Sequence, residues 1–184
     1  MTDALAGKRI AFLVANSGVE QVELTTPWQA LREAGADTTL IAPEKGTVQA
    51  FENDVEKADT FDADLAVGDA DAADFDALVL PGGTTNPDAL RLDEDAVALV
   101  AAFAGTGKPV AAICHGPWTL VEAGVLPGKT LTSWPSLRTD VTNAGGTWQD
   151  TEAFTCTAEG WTLVTSRNPD DLPAFTKAAI EAFA

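Results

Sequence analysis

Cysteine, the chain's only histidine, glycine and proline follow one another at Cys114-His115-Gly116-Pro117, directly after the apolar run Val110-Ala111-Ala112-Ile113. Leu120 and Val121 then resume an apolar pattern that suits a helix. A strand that turns sharply into a helix holds the residue at the bend strained and exposed, with free helix N–H groups directed at it. A cysteine in that position has its thiolate favoured by the positive helix end, which lowers its pKa and raises its nucleophilicity. The blander alternative is a small buried cysteine beside a surface histidine. The coincidence of strand end, bend residues and unique histidine favours chemistry. Consecutive side chains at a bend diverge, so His115 is read as a nearby charge or proton carrier, with no direct bond to sulfur implied.

Three further groups have suitable types. Glu20 lies in Ser17-Gly18-Val19-Glu20, which also has the pattern of a capping box, with Ser17 capping a helix and Glu20 reaching back. Gly82-Gly83 follows an apolar run, and bare backbone N–H groups there could approach a substrate oxygen, making an oxyanion site with the elbow amide. Asp88, in Asn86-Pro87-Asp88, also reads as a turn residue. Cys156, in Phe154-Thr155-Cys156, reads as a buried small residue on a strand face, and Trp118 as a core or pocket-wall residue.

The elements that must position these groups follow from apolar runs bounded by Gly and Pro, alternating with helical patterns; this is the signature of βαβ units and a parallel sheet. Strands are predicted over Lys8 to Ala15, Thr38 to Ala42, Ala77 to Leu80, Thr130 to Trp134 and Trp161 to Ser166, besides the run ending at Cys114. Helices are predicted over Val19 to Ala34, with Val22, Trp28 and Leu31 as core candidates, and over Asp93 to Phe103, Leu137 to Asn143 and Leu172 to Phe183. Glu44 to Ala73 is the least regular stretch; Gly46 to Phe51 could be one hairpin arm and Asp64 to Val67 a short strand. No repeat or linker interrupts residues 1–184, and a single domain is expected. In an open parallel sheet of this kind, ligands collect beyond the carboxyl ends of the strands.

The segment AAICHGPW resembles the nucleophile elbow of the DJ-1/PfpI superfamily, most closely its PfpI branch of intracellular-protease-like and general stress proteins. SGVEQVELTTPWQALREAGA, FDALVLPGGTTNPDALRL, LTSWPSLRTDVTNAGGTW and VTSRNPDDLPAF match in the same order, so the resemblance covers nearly the whole chain. It implies a flavodoxin-like three-layer α/β sandwich with a mostly parallel sheet. It also implies that Cys114 is the nucleophile, that a protonated glutamate donates to its sulfur, and that Gly83 belongs to the oxyanion site. The spacing in VEQVEL favours Glu20 over Glu23 for that glutamate. In PfpI-type oligomers a neighbouring subunit's glutamate orients the histidine; this chain has Asp88 there, one methylene shorter, after a loop one residue longer. The implied activities are a stress-related hydrolase or lyase acting on reactive carbonyls, glyoxalase- or deglycase-like, or on peptides. The alternative is a non-enzymatic redox sensor or chaperone-like protein using oxidation of Cys114. A homo-oligomer is expected, and no cofactor.

Composition narrows the partners. Two cysteines and one histidine make neither a disulfide framework nor a Cys/His zinc cluster, so no metal is expected. With one histidine, the downstream His-x-Glu of class I glutamine amidotransferases, which share this fold type, is excluded. A net charge of −17, from 28 acidic against 11 basic residues, disfavours nucleic acid and anionic membrane. It fits a solvated acidic surface, whether from high-salt adaptation or from an Asp- and Ala-rich proteome. The N-terminus lacks a basic-then-apolar signal, so a cytoplasmic location is expected.

Overall fold

β-Branched and aliphatic runs too short for helices form the central strands. In the computed structural model, which describes residues 3–184, they are β1 (Arg9–Leu13), β3 (Asp37–Ala42), β6 (Leu65–Ala66), β7 (Ala77–Leu80), β8 (Val110–Ile113), β11 (Phe154–Cys156) and β12 (Leu163–Ser166). They assemble in the order β11-β12-β8-β7-β1-β3-β6, every pair parallel except β11 with β12. Strand β1 lies between β7 and β3, so the chain winds away from it in both directions and leaves a crevice at the carboxyl ends.

Alternation along the strands feeds two cores. Ala11, Leu13, Val110 and Ala112 face one side, with α3 (Glu94–Gly105), α4 (Pro117–Glu122) and α5 (Arg138–Asn143). Ile10, Phe12, Ala111 and Ile113 face the other, with α1 (Gln21–Glu33) and α6 (Leu172–Phe183). The result is the expected three-layer sandwich. Helix α3 starts where Asp93 caps it, its carboxylate accepting from Ala96 N at 2.9 Å.

The irregular stretch holds a second, smaller sheet. Strands β4 (Gly46–Glu52) and β5 (Glu56–Ala63) form an antiparallel hairpin, and β2 (Ser17–Glu20) pairs with β4 in parallel. The helix predicted from Val19 therefore starts at Gln21. Ser17 makes no cap, and the S-x-x-E pattern belongs to a strand. The predicted core face of α1 is also rotated: Val22 is exposed, Trp28 is half-buried, and Glu23, Leu24, Pro27 and Leu31 form the buried stripe. A short strand pair, β9 (Thr130–Leu131) with β10 (Thr147–Trp148), replaces the longer strand predicted to Trp134, and α2 (Thr85–Leu90) takes up the segment read as a turn.

Among the described residues no helix is long and apolar enough to cross a membrane. Lys129 is fully buried; its ammonium donates to Trp161 O at 2.6 Å and to Ala158 O, and lies 3.8 Å from the Trp161 ring centroid. Three favourable partners thus compensate the desolvation of one charge.

Candidate active site

Strand β8 ends at Ile113, and Cys114 turns the chain with φ of +61°, a left-handed conformation that costs an L-residue about 1–3 kcal/mol. The turn is held on both sides, Cys114 N donating to Ser166 O at 3.1 Å and Trp134 N to Cys114 O at 2.8 Å. The bend predicted from sequence is present, but the thiol is not exposed: Cys114 keeps only 5% of its surface, at the bottom of a cavity of about 330 Å³.

His115 lies beside it, with Nδ1 3.2 Å from Sγ, so the two side chains converge where divergence was expected. The imidazole is wedged between Trp134, stacked at 5.5 Å, and Trp118, tilted at 5.1 Å. Trp118 is fixed by its Nε1 donating to Asp140 at 2.8 Å. Burial lowers the His115 pKa below the usual range, against the pull of the Asp54 carboxylate. The ring is therefore neutral near pH 7, and Nδ1 can accept a proton in the tautomer that carries hydrogen on Nε2.

The glutamate at the thiol is Glu23, which corrects the assignment of Glu20. Because Ser17–Glu20 is a strand, Glu20 ends it beside the β4–β5 hairpin, where its two oxygens accept from Asn53 N and Asp54 N, each at 3.1 Å. Glu23 sits in the first turn of α1, fully buried, with Oε2 accepting from Gly82 N at 2.9 Å. Its Oε1 has no hydrogen-bond partner, and the carboxyl lies beside the Cys114 thiol. Burial raises its pKa to about 8, with help from the Glu20 and Asp54 charges and against its bonds to Cys114 and Gly82. It therefore holds its proton at neutral pH.

The thiol's own pKa departs from the sequence expectation of a lowered value. Burial pushes it up, and the facing Glu23 adds to the shift; the N–H groups of Gly83 and His115 pull it down. The short helix α4 contributes little here, because the Trp118 and Thr119 amides are engaged by His115 O and Gly116 O. Thiolate formation at this sulfur thus depends on Glu23 staying neutral and on a proton acceptor such as His115.

The two glycines divide their roles. Gly82 donates to Glu23, so its amide is not free for a substrate oxygen as the sequence had implied; any Cβ there would collide with Glu23 Oε2 and lie 2.7 Å from Cys114 Cβ. Gly83, at φ of +80°, presents its amide to the sulfur. Asp88 is exposed on α2, and within one chain the Cys114–His115 pair is not joined to it. Cys156 is buried in the core away from the cavity, receiving Thr130 N at 3.4 Å.

Two contributors were not foreseen. Asn86, fully buried, accepts from Ala15 N at 2.6 Å and donates to Pro81 O and Gly82 O at 3.0 and 2.9 Å. It ties the exits of β1 and β7 together. Asp54, at φ of +64° on the hairpin turn, lines the cavity and binds Thr84 through N at 2.6 Å and Oγ1 at 2.9 Å. A hint of Asn86 lay in its place just after the glycine pair; nothing local marked Asp54. No cluster of metal-ligating side chains occurs among the described residues.

The family model for the DJ-1/PfpI family matches residues 8–182. The chain belongs to the DJ-1/PfpI family. Among its DJ-1/PfpI relatives, general stress protein 18 of Bacillus subtilis is 42% identical over 175 residues, covering 95% of this chain and 96% of the relative. Deglycase PH1704 of Pyrococcus horikoshii is 40% identical over 175 residues, covering 94% and 98%. A two-domain protein of Anabaena variabilis, with DJ-1/ThiJ/PfpI-like and ferritin-like domains, superposes with a TM-score of 0.84 at 33% identity. That match covers 95% of this chain and 49% of the neighbour, so this DJ-1/PfpI chain spans about half of it.

Proposed function

We propose that this protein is a cofactor-free, cysteine-dependent hydrolase of reactive carbonyls and their adducts, resembling in activity the relative named as a deglycase. The observation that carries the reading is the convergence on Cys114 Sγ of a neutral imidazole at 3.2 Å, a protonated carboxyl and two backbone N–H groups. His115 Nδ1 takes the thiol proton, and the amides of Gly83 and His115 hold the charge on sulfur.

The thiolate adds to the aldehyde carbon of a 2-oxoaldehyde delivered by its adduct. A C–S bond forms, the π pair moves onto oxygen, and the Glu23 carboxyl or the His115 imidazolium returns a proton to it. Moving the proton on this carbon to its neighbour, and the hydroxyl proton to the neighbour's oxygen, turns the hemithioacetal into its isomer, a thioester of Cys114. Water then releases a 2-hydroxy acid and the free thiol. One carbon is oxidised as the next is reduced, so no external oxidant or reductant enters.

The test is lactate formation from the methylglyoxal hemithioacetal of 2-mercaptoethanol. Wild type should produce it and Cys114→Ser should lose at least about a hundredfold in rate, the scale of removing an activated nucleophile. Equal rates for the two proteins, or no lactate from wild type, would overturn the reading.

The same amides and protonated carboxyl also favour a second reading, in which they stabilise an oxidised Cys114 in a stress sensor. Peroxide titration followed by mass analysis of Cys114 and of its Glu23→Gln variant tests it, with unchanged oxidation in the variant as the negative result.

A further inference from the structure

The walls of the thiol cavity are chemically lopsided. Glu20, Glu23 and Asp54 line it together with Cys114, Gly83 and Trp134, and no lysine or arginine does. Neither Glu20 nor Asp54 joins any of the ion pairs among the described residues. Their oxygens accept only from backbone amides and from Thr84, bonds that leave each carboxylate spare lone pairs. The cation nearest in sequence to the cavity-lining Pro169 is Arg167, which is already held by Asp171 at 2.8 Å and Asp150 at 2.7 Å.

The cavity also has a direction. At its inner end lies the fully buried Glu23, whose Oε1 has no hydrogen-bond partner. At its outer end lie Asp54, exposed on the hairpin turn, and Trp134, which retains 39% of its surface while stacking on His115. Two carboxylate side chains lining the same cavity as an indole make a favourable environment for an ammonium or guanidinium and a repulsive one for a carboxylate.

We propose that this mouth selects substrates by the charge of the group flanking the reacting carbonyl, admitting those whose flanking group is an ammonium or guanidinium and turning away anionic ones. Glu20, Asp54 and Trp134 are the specificity-determining residues. The inference rests on the carbonyl-hydrolase reading for its substrate class, but the charge preference can be measured without turnover.

Two methanethiosulfonates of similar size serve as probes, one bearing a trimethylammonioethyl group and the other a sulfonatoethyl group. Their rates at Cys114 in low salt are each normalised to the rate with free 2-mercaptoethanol. The cation should react at least about tenfold faster, the lower end of what a single-sign cleft produces. Asp54→Asn and, independently, Glu20→Gln should each reduce that ratio severalfold. Glu181→Gln, an equal change of net charge at an exposed site on α6, should leave it unchanged. A ratio near one, or an equal fall in Glu181→Gln, would overturn the proposal, because the preference would then be absent or a property of the total charge.

Turnover supplies the second arm, with methylglyoxal hemithioacetals of cysteamine and of 3-mercaptopropionate. Preference for the cysteamine adduct, abolished in Asp54→Asn, supports the proposal, and preference for the anionic adduct overturns it. If neither adduct is turned over while the probe ratio holds, the hydrolase reading fails and the charge-selecting mouth stands.

Discussion

Burying Glu23 next to a thiol should make the protein's stability depend on pH in a way that one substitution removes. Its carboxyl titrates near pH 8 in the folded chain against 4.5 when free. The folded state therefore binds this proton more tightly than the unfolded state does. Below about pH 4.5 both states are protonated and nothing is lost. As pH rises from there towards 8, the unfolded chain gives up the proton first, and stability falls; above 8 the loss is complete. At 1.36 kcal/mol per pKa unit, the 3.5-unit difference amounts to roughly 5 kcal/mol, comparable with much of a domain's net stability. Glu23→Gln keeps the size and hydrogen-bonding capacity of the neutral acid and cannot ionise. Guanidinium unfolding of both proteins at half-unit intervals from pH 4.5 to 9 isolates the effect, because carboxylates remote from Glu23 cancel in the difference. The difference should move by several kcal/mol in favour of Glu23→Gln across this window and level off above pH 8. Parallel stability curves would refute the placement of a neutral Glu23 at the thiol.

Iodoacetamide near neutral pH should label the cavity-lining Cys114 much faster than the core-bound Cys156, and mass mapping with equal rates at the two would contradict the site. The Cys114 rate should still be climbing above pH 9, because burial and Glu23 push the thiol up; in Glu23→Gln the curve should shift to lower pH, and a superimposable curve would argue against the contact. Asn86→Ala leaves the Ala15 amide and the Pro81 carbonyl unpaired and Gly82 O with only the Glu20 amide at 3.4 Å, a cost of about 3 kcal/mol by urea unfolding; a loss below about 1 kcal/mol would show that water replaces the side chain. Self-association is expected to bring the exposed Asp88 of a second copy towards His115, so Asp88→Ala should lower lactate formation in assembled protein, and a fully active monomer on sizing would refute it.

How legible the molecule was depended on what each segment buries. Strands β1, β7, β8 and β12 are buried on both faces, so Ile10 to Leu13 or Ala77 to Leu80 appear in the sequence as uninterrupted apolar runs. Strand β5 is mostly exposed at the edge of the small sheet, and its charged residues Glu56, Lys57, Asp59 and Asp62 conceal the alternation that would have announced it. Ser17 to Glu20 has the residue types of a helix start, but pairing with Gln49 to Phe51 overrides that local preference. The same error moved the thiol's acid partner by three residues. The stripe Glu23, Leu24, Pro27, Leu31 was present as a helical period, but a charged residue at its head is discounted when apolar residues are sought. The residue types at the elbow were legible; the 3.2 Å approach of His115 to sulfur was not, since it depends on two tryptophan rings brought in from positions 118 and 134.

The hairpin tip divides the site into parts with different structural freedom to change. Cys114, His115, Gly82 and Gly83 sit on loops closing strands of the large sheet, and Glu23 at the start of α1 is pinned to them; all are locked by buried contacts and tolerate little alteration. Asn53 and Asp54 sit on a solvent-facing turn between β4 and β5, tied to the rest through Glu20 and Thr84. Lengthening or recolouring that turn would change what enters while leaving the reacting groups in place. Alteration of a surface hairpin, the kind of segment that accepts insertions at little cost, is then a route by which one rigid thiol chamber acquires a different clientele.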